Sequence, residues 1–354
     1  MTTPNRLTSL MRATMLLGLL SFVSCSDQDI ATVDEYVSFE IADSDDWTQL
    51  TRGAELTIDE LRKGFGVFAF YTEDDSWAVA QATSPNFMNN QKVTGTAGES
   101  GTVWGYSPLK YWPNNPDDKV SFFAYAPYIE SQTAVGSKLP FKVATDVDNQ
   151  VDLSWSTSNT TDLDRNTKKV TFNFNHALAR IGFTVKMSEE GSNTLPKDVK
   201  IIVEKVSVGK FYSEGKLDLS ANTATWSDMN AEQMFSIDAD NFVGEYADGF
   251  VLTKDNTTSA LKLNKDDSYI MVIPRDYSIT ECDVVVKYKV VLSNASGEYH
   301  KYTNECKGVA KIDFQAGKTH ILNITTDIKK ITIDSVDVIP WESGGDVYIG
   351  GIVQ

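Results

Sequence analysis

Side chains able to do chemistry are few and scattered in this sequence. It contains three histidines: His176 in the run FNHALARI, His300 beyond the turn SNASGE, and His320 in KTHIL. A zinc site needs such ligands at short fixed spacings, as in HExxH or CxxC frames, and neither frame occurs. His176 falls inside an alternating run and reads as a hydrogen-bonded, partly buried strand residue, not a base. No serine has a nucleophile-elbow context, and the acids of DSDD (43–46) and EDD (73–75) lack the glycine turn and ligand order of a calcium loop. The expectation is therefore a protein without catalytic residues, cofactor or metal. Trp104, Tyr106, Tyr111 and Trp112 are the remaining ligand-like group. They are either an aromatic platform for sugar rings or, with Pro108 and Pro113 among them, the packed edge of a β-sandwich.

Two residues look like places where other enzymes act on the chain. Arg6 and Arg12 precede the apolar run ATMLLGLLSFV (13–23), an export signal too short to be a stable membrane span. It ends in FVSC, small or modest residues before Cys25, as a lipoprotein signal peptidase requires for palmitate-type acylation of the thiol. Phe22 stands where Leu is usual, and Met11 is as good a start as Met1. Beyond Cys25 no Lys or Arg occurs until Arg52, while Asp27, Asp29, Asp34, Glu35, Glu40, Asp43, Asp45 and Asp46 accumulate. Arg52, in TRGAEL, is either a solvated loop residue or the cut site of a trypsin-like protease, with Gly53 as the new N-terminus.

A formal charge of −17 excludes nucleic acid as a partner, whose phosphates would repel the chain. Export places Cys282 and Cys306 in an oxidising compartment, where a disulfide is possible. They flank a predicted hairpin centred on SNASGE. Pairing about that centre sets Cys282 opposite Val309, roughly three residues out of register with Cys306, which favours free buried thiols.

The elements that must position these residues are strands almost everywhere. Glu35 to Ile41 alternates, with Val37, Phe39 and Ile41 on one face. The runs 65–71, 119–128, 169–186, 199–208, 269–274, 283–292, 320–326 and 330–341 add β-branched and aromatic segments separated by Asn, Asp, Gly and Pro turns. Helix signal is confined to short pieces such as Thr57 to Arg62, where Thr57 caps and Glu60 completes a capping box. The pattern predicts an all-β protein of antiparallel sandwiches. The chain divides into a signal peptide (1–24), a lipidated pro-segment (25–52), an N-terminal sandwich (53–166) and a C-terminal sandwich (167–354). The polar stretch 159–167 marks the border.

The runs GTVWGYSPLKYWPNNPDDKVSFFAYAPY (101–128), VTFNFNHALARIGFTVK (170–186) and FQAGKTHILNI (314–324), with the ending VIPWESGG, resemble the fimbrillin family, subunits of type V pili of anaerobic Gram-negative bacteria. The resemblance covers nearly the whole chain. It implies two tandem transthyretin-like β-sandwich domains, export as a lipoprotein to the outer membrane, removal of the N-terminal segment by an arginine-specific protease, and polymerisation by strand exchange. On that reading Arg52 is the cut site, and Val37, Phe39 and Ile41 form the strand that leaves.

After Trp341 the segment ESGG (342–345) is a hinge, and residues 346–354 alternate, with Val347, Ile349 and Val353 on one face. This tail is a candidate donor strand for the next subunit. The other reading makes it the last edge strand of its own sandwich. Two functions follow: an adhesive pilus subunit whose partners are copies of itself or related subunits and a host or bacterial receptor, or a monomeric surface lipoprotein that binds glycans through its aromatic loops.

Overall fold

The computed structural model describes residues 36–42 and 57–341, apart from 81, 100, 158, 245–248, 266–267, 275–279 and 328–329. Strand dominates, as the alternation predicted. The first half holds β1 (Phe39–Ile41), helix α1 (Ile58–Lys63), β2 (Phe65–Tyr71), the helical turn α2 (Trp77–Ala80), β3 (Met88–Gly98), β4 (Gly101–Gly105), β5 (Val120–Ala126), β6 (Lys138–Lys142), β7 (Ser154–Ser156), β8 (Val170–Phe172) and β9 (Phe174–His176). The second holds β10 (Ala179–Met187), α3 (Glu189–Thr194), β11 (Val199–Asp218), β12 (Trp226–Asp238), β13 (Phe250–Leu252), β14 (Leu261–Lys262), β15 (Ile270–Val272), β16 (Thr280–Asn294), β17 (Gly297–Ile312), β18 (Lys318–Thr326) and β19 (Ile331–Pro340).

One sheet runs β4-β3-β2-β5-β7-β9, and β1 pairs separately with β8. In the second half β14-β10-β18-β19, with β15 on β10, faces β12-β11-β16-β17, to which β13 and β6 add through β11. Pairing is antiparallel except at β1–β8 and β10–β18. The sequence FGVFAFY of β2 is apolar at every position, the mark of a strand covered on both faces. Its odd set, Phe65, Val67 and Ala69, joins Phe122 and Ala124 of β5 in the smaller core with Val37 and Phe39. Its even set, Phe68 and Phe70, joins Phe123 and Tyr125 in the larger core, which continues through Leu139 and Trp155 into Ile181, Phe211 and Phe235 of the second half. Strand β6 makes the same join in the backbone, since Phe141 and Pro140 pair with Gly215 and Lys216 of β11.

Several sequence expectations change in detail. The run 169–186 was expected as one strand, and it forms three in different sheets. Asn173 breaks it by accepting the Thr157 amide at 2.9 Å, and Ala177 breaks it again by donating to Leu153 O at 2.8 Å. Helix α1 keeps the Thr57 cap, whose hydroxyl accepts the Glu60 amide at 3.2 Å, but the Glu60 carboxylate turns to Lys63. The hairpin β16–β17 sets Cys282 opposite Ala310 and Cys306 opposite Val286, one residue from the expected register. Both cysteines are buried free thiols.

Candidate functional site

Val37 and Phe39 belong to a short segment that the first core holds on both edges. Val37 N–H donates to Lys110 O at 2.8 Å, and Val37 O accepts the Tyr106 hydroxyl at 2.7 Å. On the opposite edge Ser38 O accepts the Val170 amide at 2.8 Å, and Ala42 N–H donates to Phe172 O at 2.8 Å. Tyr36 bridges Tyr111 in antiparallel sense, so the segment lies between the 106–111 stretch and β8. Its alternation then sends Val37 and Phe39 inward, fully and 95 % buried respectively, with Ile41 packed at the margin.

Phe39 sits in an aromatic pocket. Its ring centroid lies 5.2 Å from Tyr106, 5.4 Å from Phe172 and 6.1 Å from Phe122. Such offset and edge contacts add to the burial of the ring itself. Burial pushes the Tyr106 hydroxyl up to about 12, so it stays a neutral donor to the strand. Between the two inward residues the chain is held polar side out: the Ser38 hydroxyl donates to Lys168 O at 3.0 Å. Beyond Phe39, Glu40 accepts the Thr171 hydroxyl at 2.7 Å and pairs with Lys169 at 3.2 Å. The Thr171 bond, helped by Lys169 against the cost of burial, holds the Glu40 carboxyl below its ordinary value.

Cys25, Arg52, Gly53 and the tail residues Val347, Ile349 and Val353 lie outside the described residues. Of the aromatic group, Trp104 packs on Phe65 at 5.4 Å, Trp112 on Phe122 at 5.7 Å and Tyr106 on Phe39. These three line the sandwich edge, and Tyr111 is exposed. His176 is tied to Asp152 at 2.8 Å and stacks on Trp341. A cleft of about 800 Å³ between the halves is lined by Trp155, His176, Trp226, Phe314 and Lys318 among others. Among the described residues no group of three or more His, Cys, Asp or Glu is arranged to hold a metal, and no helix is long and apolar enough to cross a membrane. Sequence reasoning found the inward face of β1 but missed its walls, Tyr106, Lys110, Thr171 and Phe172. Tyr106 was singled out only as a packed-edge aromatic and not as a partner of β1, and the other walls left no signal beyond the apolar alternation of Val170 and Phe172.

An all-β sandwich whose first core is closed by a strand from the acidic N-terminal segment belongs to the class of strand-completed β-sandwich proteins. Comparison with known sequences gives the family: the Fimbrillin-like family model matches residues 51–341, and the chain belongs to that family of fimbrial proteins. It is similar to the fimbrium subunit Fim1C of Phocaeicola vulgatus, 26% identical over 381 aligned residues covering 95% of this chain and 98% of the relative. Among solved structures, it resembles a fimbrial protein from Bacteroides vulgatus with a TM-score of 0.64 at 22% identity, over 87% of this chain and 99% of that one. That likeness is one of fold.

Proposed function

We propose that this chain is a structural subunit of a cell-surface fimbria, exported as a lipoprotein precursor acylated at Cys25, cut after Arg52, and polymerised by strand exchange. The observation that carries the reading is the seat of β1. A segment hydrogen-bonded on both edges, with Val37 and Phe39 in the core, precedes a family match that begins at Thr51. Burying each of these side chains contributes roughly 1.5–3 kcal/mol, so the strand keeps the precursor monomeric while it is covalently attached. Once Arg52 is cut, the strand is held by short-range contacts alone. Its departure exposes an apolar groove and unpaired backbone, which a strand of a neighbouring subunit can satisfy.

Residues 346–354, with Val347, Ile349 and Val353 on one face, are the candidate donor that this chain offers. On this reading the tail leaves its own subunit and fills a groove on the next one, so the contact is heterologous and grows a fibre instead of closing a dimer. The fibre works by adhesion, without substrate turnover.

The test is the Arg52→Ala chain. It is expected to accumulate as a lipidated, full-length, folded monomer that enters no polymer, while sheared wild-type fibres begin at Gly53. Polymer from the variant at wild-type levels would sink the reading.

A further inference from the structure

The present occupant of the groove reports what the groove accepts. Val37 fills a fully closed position, Phe39 a pocket walled by Tyr106, Phe122 and Phe172, and Ile41 a marginal apolar one. Between the last two, Glu40 meets the Thr171 hydroxyl and the Lys169 ammonium. The groove therefore reads apolar, any, aromatic, acidic, apolar.

Residues 346–354, DVYIGGIVQ, do not satisfy that order in any register. Laid in the direction of β1 with Val347 at the Val37 position, they put Ile349 in the aromatic pocket, Gly350 at Glu40 and Gly351 at Ile41. Shifted so that Tyr348 enters the pocket, they bury Asp346 at the closed Val37 position, where a carboxylate finds no compensating partner. Laid in the opposite direction, Tyr348 in the pocket leaves Gly350 at Val37, and Val347 in the pocket, though it sets Ile349 at Val37 and Asp346 at Glu40, leaves the pocket without a ring and Gly345 at Ile41. Every remaining register places glycine in the pocket or at the closed position, or fills the pocket with an aliphatic or a polar residue instead of an aromatic one. An underfilled aromatic pocket loses contacts outright, because the rigid walls collapse only in part.

Resting on the strand-exchange reading above, we propose that the strand which replaces β1 comes from a different chain, not from residues 346–354 of a second copy. The partner is an extended segment with an aromatic residue two positions from an apolar one and an acid beside the aromatic. The tail of this chain then serves a groove with a smaller pocket, and the subunit sits where its groove faces a subunit of another kind.

Two experiments on the full-length chain test this. In the first, Phe39→Ile, Glu40→Gly and Ile41→Gly are combined, giving β1 the inward residues of the tail laid in its own direction from Val347. Hydrogen exchange at Val37, Ala42 and Val170 is expected to speed up at least about tenfold, with β16–β17 unchanged. Undiminished protection would overturn the inference. In the second, the chain is cut at Arg52 with an arginine-specific protease and offered synthetic peptides of residues 35–42 or 345–354. The first peptide is expected to be retained at concentrations about tenfold lower. Equal or better retention of the tail peptide, with residues 25–52 released, overturns the partner but leaves strand exchange standing. Retention of 25–52 with neither peptide entering overturns strand exchange itself, and the proposed partner with it.

Discussion

The imidazole of His176 lies flat on the indole of Trp341, centroids 4.5 Å apart and planes 4° from parallel. His176 ends β9 in the first sheet, where Asp152 fixes its Nδ1 at 2.8 Å. Trp341 follows the last strand of the second half, its amide donating to Gly317 O at 3.0 Å. The Arg180 guanidinium lies 4.9 Å from the same indole and 4.3 Å from the ring of Tyr269. The stack thus clamps the root of the C-terminal tail onto the crossover from β9 to β10, where the chain passes from one sheet system to the other.

Trp341→Ala removes a side chain that is 6% exposed and leaves a gap between two fixed partners. The expected loss is about 3–5 kcal/mol in urea unfolding, the range for a buried aromatic truncated in a core. Trp341→Phe keeps a stacking face and should lose less than half of that. If Trp341→Ala unfolds at the wild-type midpoint, the clamp contributes nothing.

His320 gives a pH dependence whose sign is fixed by its surroundings. It is fully buried, and burial lowers its pKa from the ordinary 6.5 in spite of a hydrogen bond to Arg180 O. Its Nδ1 lies 3.3 Å from that oxygen, and its Nε2 accepts the Gln315 amide at 3.3 Å. Those roles describe the neutral ring with its proton on Nδ1. Below about pH 6.5 the unfolded chain takes up a proton that the folded chain refuses. Stability is therefore full above that pH and falls on acidification, by at most about 1.4 kcal/mol per pH unit for the one proton. His320→Gln should flatten the slope of stability between pH 6.5 and 5 relative to wild type, whatever its effect on absolute stability. Parallel slopes would show that His320 does not titrate on unfolding.

Cys282 and Cys306 should never be found joined. Cys306 lies four positions along β17 from Ala310, the partner of Cys282, about 14 Å at about 3.4 Å per residue, whereas a disulfide needs Cα atoms within about 7 Å. Burial also pushes the Cys282 thiol up to about 12, leaving almost no thiolate at neutral pH. Maleimide at pH 8 should label Cys282 only after urea unfolding, read by peptide mass spectrometry. Labelling of the native protein would mean that the β16–β17 ladder opens more readily than its burial implies.

The parts of this molecule that were legible in the sequence are those where burial writes a period. Val37, Phe39 and Ile41 announced an inward face, and the unbroken apolar runs of β2 and β5 mark strands covered on both sides. Strands β3 and β12 went unread because they are polar along most of their length and largely exposed. They are held by backbone pairing to β2 and β11, which leaves no pattern in side chains. The three-way division of 169–186 was hidden for a similar reason. The breaks at Asn173 and Ala177 are made by distant backbone partners, Thr157 and Leu153, that no local pattern reveals. The contacts of the groove walls share this fate: Tyr106 was legible as an edge-packing aromatic but not as a partner of Val37, Lys110 comes from the same Pro-punctuated loop, and Thr171 points away from the apolar face.

Phe39→Ala separates the energy of the uncut chain from that of the cut one. In the precursor the ring is 5% exposed and touches Tyr106, Phe122 and Phe172. Its truncation should cost about 3–5 kcal/mol in urea unfolding of the Arg52→Ala chain, where the strand cannot be freed. In protein cut at Arg52 and passed through native gel filtration, the same substitution should change the unfolding free energy by less than about 0.5 kcal/mol, because the strand is expected to have left with residues 25–52. The contrast follows from one assumption, that the ladder to Lys110 and β8 is too short to hold the strand once its covalent link to Gly53 is gone. If the cut wild-type and cut Phe39→Ala proteins differ as much as the uncut pair, the strand has stayed in its seat after cleavage. The first core would then be permanently complete, and assembly would have to use another surface.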